Sequence, residues 1–160
     1  MSTLKRTLDA HPIFFFHDMA EPYLDILDAC AETREYKAGA CIFKAGDEAT
    51  HFHIIQTGEV SIHVKGAKGN DITIQTLSSG EVLGFSWMMV PYLYRFDAVA
   101  LEPPMTQAFD ARRLRKEIEK DPAFGYDVVM RFNHVISQRL QASRLQIVDM
   151  YGGFRLEDVK

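Results

Sequence analysis

The chain has 160 residues, 47% of them hydrophobic and 25% charged, with a formal net charge of -4. That length suits one well-formed core rather than two, and the composition is globular rather than disordered. No run approaches the roughly 20 apolar residues of a spanning helix, the IFFF cluster is far shorter than a signal-peptide core, and the charge balance leaves no basic footprint for a nucleic-acid backbone. The expectation is a cytoplasmic protein without membrane contact. Cys30 and Cys41 lack CxxC spacing and read as buried thiols rather than as a disulfide or a zinc site.

In chain order, residues 1–34 read as a helical lead-in broken at Pro12 and Pro22, with Leu24, Leu27 and Ala31 at helical spacing. From 35 to 110 the texture changes to short apolar runs punctuated by Gly39, Gly46, Gly58, Gly69 and Gly80, the pattern of a compact antiparallel sandwich or roll. Ile62 and Val64 alternate with Ser61 and His63, and Ile72 and Ile74 with Thr73 and Gln75, which predicts strands with one buried face. GAKGN between these runs predicts a hairpin loop.

After the roll, DARRLRK opens a short helix over 111–119, its basic run reading as a solvated face. A long helix over 123–151 follows and stops at Gly152 and Gly153. Along it Val129, Phe132, Ile136, Leu140, Ser143, Ile147 and Met150 recur at steps of three and four, with Val128, Val135, Leu145 and Val148 beside them. Such a helix is ~40 Å long, more than a small roll can cover, so a homodimer through 123–151 is expected. The whole reads as a single domain over 1–152 with a tail, 153–160, too short to be a module.

Two stretches carry a family resemblance. YKAGACIFKAGDEATHFHIIQTGEVSIHV holds the spacings A-G-x-x-I-F-x-x-G-D and I-I-x-x-G-E-V, and IQTLSSGEVLG holds L-x-x-G-E. Over roughly residues 12–150 the chain resembles the cyclic-nucleotide-binding domain of the CRP/FNR superfamily. The resemblance implies a mainly β fold: a β-roll, or jelly roll, with N-terminal helices and a long C-terminal helix. It also implies a ligand held in the roll, cyclic AMP or cyclic GMP, at Gly80, Glu81, Val82, Leu83, Gly84, Ser86 and Arg95. In that pattern Glu81 takes a ribose hydroxyl, a short helix in FSWMM offers backbone N–H groups near Ser86, and Arg95 takes the phosphate.

This chain departs from the pattern in two places. Arg95 lies fifteen residues after Gly80 and is followed by Phe96 and Asp97 rather than by small residues. The longer loop leaves two readings open: Trp87, Met88, Tyr92, Tyr94 and Phe96 fill the ligand space, with Arg95 paired to Asp97 or Glu81, or the pocket stays open. The sequence also runs only a few residues past Gly152, without a helix-turn-helix, so DNA recognition by this chain alone is not expected. FNR-type oxygen sensing is not expected from two cysteines.

A minor alternative is a cupin-like metal site at His51, His53 and Glu59, since His51 and His53 lie two apart on one strand face. No second His-bearing motif accompanies it. No nucleophile elbow, P-loop or dinucleotide-binding glycine pattern occurs, so no enzyme is expected. The function expected is a ligand-sensing regulatory domain that takes a cyclic nucleotide or another small anionic ligand and signals through its C-terminal helix. A ligand-free dimerisation or partner-docking scaffold of the same fold is the alternative.

Overall fold

The computed structural model describes residues 13–152. Expectations that fall on residues 1–12, on Gly153 and on the tail lie outside them.

A single 3-10 turn, Phe14–Phe16, leads into helix α1, Glu21–Ala29. Pro22 opens this helix rather than breaking it, because its missing N–H costs nothing in the first turn. The helix closes at Cys30, and Ala31, expected to be helical, begins a strand instead. Strand β1, Ala31–Glu35, pairs antiparallel with the last strand of the roll, Ala31 opposite Phe109. The expected helical lead-in to residue 34 is therefore corrected: pairing with a strand far along the chain outweighs local periodicity.

The roll continues with β2, Cys41–Phe43; β3, His51–Thr57; β4, Val60–Lys65; β5, Asp71–Leu77; β6, Val82–Leu83; β7, Asp97–Ala100; and β8, Met105–Asp110. These strands form two four-stranded antiparallel sheets, ordered β1-β8-β3-β6 and β2-β7-β4-β5. Two four-stranded sheets make the jelly roll that the family resemblance implies, one of the two architectures the glycine-punctuated runs allow. The β4–β5 hairpin forms as expected, Lys65 opposite Asp71. Gly58 turns the chain into it at a φ of +79°, and a Cβ there would lie 2.7 Å from the Pro103 oxygen, so both conformation and space demand glycine.

Strand β3 separates two apolar clusters. Phe52 and Ile54 join the larger one, where Phe15, Leu27, Trp87, Phe109, Leu114, Phe124, Val128 and Phe132 pack the helices onto the roll. Ile55 joins the smaller one inside the roll, with Val60, Ile62, Leu77, Leu83 and Ala98. The expected one-faced alternation is corrected in two places. Ser61 is buried beside Ile62, whereas Ile72 and Ile74 on β5, the outermost strand of its sheet, are exposed. Cys30 is buried as expected, but Cys41 is exposed.

Two helices follow β8. Helix α2, Ala111–Lys120, is capped by the Asp110 carboxylate, which accepts from the Arg113 N–H at 3.0 Å. Helix α3, Pro122–Met150, is capped by Asp121, which accepts from the Ala123 and Phe124 N–H groups. The first half of α3 docks through Phe124, Val128 and Phe132, all fully buried. Beyond Ile136 the helix crosses the open side of the roll.

Candidate functional site

Between the roll and α3 lies a cavity of about 280 Å³, near the lower end of small-molecule sites. Its floor comes from Phe43 on β2, Ile62 on β4, Ile74 and Gln75 on β5, and Leu83 on β6. Its rim is the loop after β6, through Gly84, Phe85, Ser86, Met89, Tyr94, Arg95 and Phe96. Helix α3 covers it with Ile136, Arg139, Leu140 and Ser143, one helical face at steps of three, one and three.

The loop is positioned from several sides. Its single 3-10 turn, Ser86–Met88, sends the Trp87 indole into the core, 5.6 Å from the rings of both Phe52 and Phe132. Arg115 of α2 donates to the Trp87 carbonyl at 2.9 Å, and its guanidinium lies 4.4 Å from the centre of the Tyr92 ring. Tyr94 donates its hydroxyl to the His51 carbonyl at 2.7 Å and stacks on Phe43 with ring centres 3.7 Å apart, giving the cavity one flat aromatic wall. Gly84 reaches this wall at a φ of +80°.

This packing decides between the two readings of the long loop. Trp87 and Tyr92 turn away from the cavity, into the core and under Arg115, while Tyr94 and Phe96 form its sides; the space stays open. Arg95 pairs with neither suggested acid. Asp97 accepts from the Ala45 N–H at 2.8 Å, and Glu81 Oε2 accepts from the Ser78 N–H at 2.8 Å and from its hydroxyl at 3.2 Å. Arg95 is exposed at the rim and has no hydrogen bond or ion pair among the described residues.

Of the residues expected at the site, Leu83, Gly84, Ser86 and Arg95 line the cavity. Gly80, Glu81 and Val82 line instead an adjoining cleft against Phe14, Val135 and Gln138. Their backbone explains this, since the Gly80 N–H donates to the Ile55 carbonyl and the Ile55 N–H to the Glu81 carbonyl, locking the G-E pair onto β3. Sequence reasoning missed Arg139. It lines both the cavity and the cleft, donates to the Val82 carbonyl, and has its guanidinium 5.7 Å from the Phe85 ring centre. Burial pushes its pKa below the ordinary arginine value, while the Glu81 charge opposes that shift. The one signal in the sequence was a cation beside the apolar seam of a helix.

The histidine alternative does not assemble. His53 is buried, with Nδ1 3.1 Å from the Thr106 hydroxyl, and burial followed by the charges of His51 and Arg34 pushes its pKa down to about 3. His51 lies against Arg34 and Thr50. Among the described residues no group of three or more His, Cys, Asp or Glu side chains could hold a metal ion, so His51, His53 and Glu59 make no such cluster.

Residues 33–121 match the family of the cyclic nucleotide-binding domain. The chain belongs to that family. No curated protein matches it. Among solved structures, this cyclic nucleotide-binding domain is similar to a Geobacter metallireducens GS-15 protein named for cyclic nucleotide binding, with 22% identity and a TM-score of 0.76 over 88% of this chain and 99% of that one. It is similar to the catabolite activator protein of Thermus thermophilus, with 23% identity and a TM-score of 0.66 over 86% of this chain and 62% of that one. A third is the regulatory subunit of a cAMP-independent protein kinase A from Trypanosoma brucei, in a mutant bound to cAMP, with 20% identity and a TM-score of 0.67 over 89% of this chain and 50% of that one. At these identities the likeness establishes the fold. Among the described residues no helix of the domain is long and apolar enough to cross a membrane.

Proposed function

We propose that the chain is a cytoplasmic regulatory domain that binds a small organic anion in the cavity under α3 and passes occupancy on through that helix. The observation that carries this reading is the composition of the cavity wall. It holds two guanidinium groups, Arg95 and Arg139, no carboxylate among the described lining residues, and an otherwise largely apolar and aromatic surface. An anion with a flat apolar body suits such a wall: the cations meet its charge and the rings of Phe43, Tyr94 and Phe96 its body. Cyclic AMP and cyclic GMP are the first candidates, because the chain belongs to the cyclic nucleotide-binding family.

Helix α3 is suited to transmit occupancy because it is anchored at one end and free at the other. Past the cavity, Leu145, Ile147, Val148 and Met150 are exposed. This apolar stretch supports a homodimer through residues 123–151, in which the packing of α3 on its own roll sets its packing on a partner. Calorimetric titration with cyclic AMP and cyclic GMP, on wild type and on Arg95→Ala, tests the ligand. Saturable binding that Arg95→Ala weakens supports the reading; no heat from either nucleotide at millimolar concentration rejects cyclic nucleotides as ligands.

A further inference from the structure

Helix α3 places a partly buried cation in the cavity wall that forms no ion pair among the described residues, although the Glu81 charge acts on it from the adjoining cleft. Arg139 stands between Ile136, Leu140 and Ser143, the three other residues through which the helix covers the space. Its one hydrogen bond goes to a backbone carbonyl, Val82 on the edge strand β6, and among the described residues it forms no ion pair. Glu81, whose charge favours the guanidinium, has Oε2 engaged by Ser78. A neutral carbonyl uses one of five guanidinium donors, and the Glu81 charge acts on the group without a hydrogen bond or ion pair to it among the described residues, so its burial is only partly offset. The lowered pKa of Arg139 has burial as its first cause, in agreement with this picture.

We propose that Arg139 is an anion-holding residue of the cavity, and that its bond to the Val82 carbonyl is the resting contact it exchanges for the ligand's anionic group. The inference rests on reading the cavity as an anion site and assigns that site a residue on the moving element. A charge-assisted bond is roughly twice as strong as one to a neutral acceptor, so the exchange is favourable once an anion enters. Because the donor belongs to α3 and the acceptor it leaves belongs to the roll, the exchange loosens one tie between helix and roll and makes another through the ligand. Arg95, at the exposed rim, steers and selects; Arg139 reads occupancy directly.

The test uses two anionic probes, cyclic AMP and 8-anilinonaphthalene-1-sulfonate, titrated into wild type, Arg139→Met and Arg139→Lys. We expect saturable binding of at least one probe to wild type, a loss of about ten- to a hundredfold in Arg139→Met, and a smaller loss in Arg139→Lys, which keeps the charge but not the planar fork. Amide exchange over residues 136–150 should change on binding in wild type and not in Arg139→Met. Circular dichroism checks that the helices persist, and Arg139→Gln replaces Arg139→Met if they do not. Equal affinity in wild type and the uncharged variant overturns the inference and leaves the anion site standing. Failure of wild type to bind either probe overturns both.

Discussion

Truncating Phe132 is the most direct probe of how α3 is fastened to the site. The ring is fully buried and meets Phe15 and Phe52 with centres 5.0 Å away and Trp87 at 5.6 Å, in each case edge-on. Phe132→Ala removes the ring and opens a void between helix, roll and cavity loop at once. Buried Phe→Ala changes cost about 3–5 kcal/mol, the aromatic pairs included. For a chain of this length that lowers Tm by roughly 6–20 °C. Urea unfolding followed by Trp87 fluorescence and by far-ultraviolet circular dichroism measures the loss. Trp87 is the sole tryptophan and touches the substituted ring, so its emission in the native state should change as well. A loss below about 1 kcal/mol would refute the claim that α3 is anchored here.

Two further outcomes follow from the same packing. His53 is held neutral by burial, with its pKa near 3 against about 6.5 when unfolded. Between these values the unfolded chain binds the extra proton, so stability falls as pH drops from 6.5 towards 3, by up to ~1.4 kcal/mol per pH unit. The urea midpoint should therefore drop between pH 7 and pH 5 in wild type and drop less in His53→Gln; equal drops would exclude His53 as the cause. Ile147 is half exposed on the free end of α3. Ile147→Asp should reduce the sedimenting mass of a dimer to that of a monomer without changing the helix signal, and an unchanged mass would place the residue outside any interface.

Much of the roll was legible because its signals are local. Gly58 is required by a positive φ and by the Pro103 carbonyl beside it, and the β4–β5 hairpin follows from alternation and a glycine-bearing loop. Both helices after the roll begin where an aspartate stands ready to cap them, Asp110 and Asp121. Where the reading failed, the deciding partner was distant in the chain. Ala31 is a strand residue because Phe109 lies opposite it, and Ile74 is exposed where it faces the cavity that α3 covers.

The site divides the same way. Sequence by itself determined the glycine-paced roll and the long last helix, since turn geometry, capping and periodicity act between near neighbours; the resemblance of its motifs pointed to the family and to Arg95, which stands at the cavity rim. Tertiary structure alone decided that the cavity is open, that Glu81 turns to Ser78, that Trp87 belongs to the core, and that Arg139 comes down from α3 to the cavity wall. A helix periodicity tells which residues share a face but not what that face meets. Only the docking of α3 across the roll, through Phe124, Val128 and Phe132, brings the guanidinium of Arg139 into the same space as Arg95.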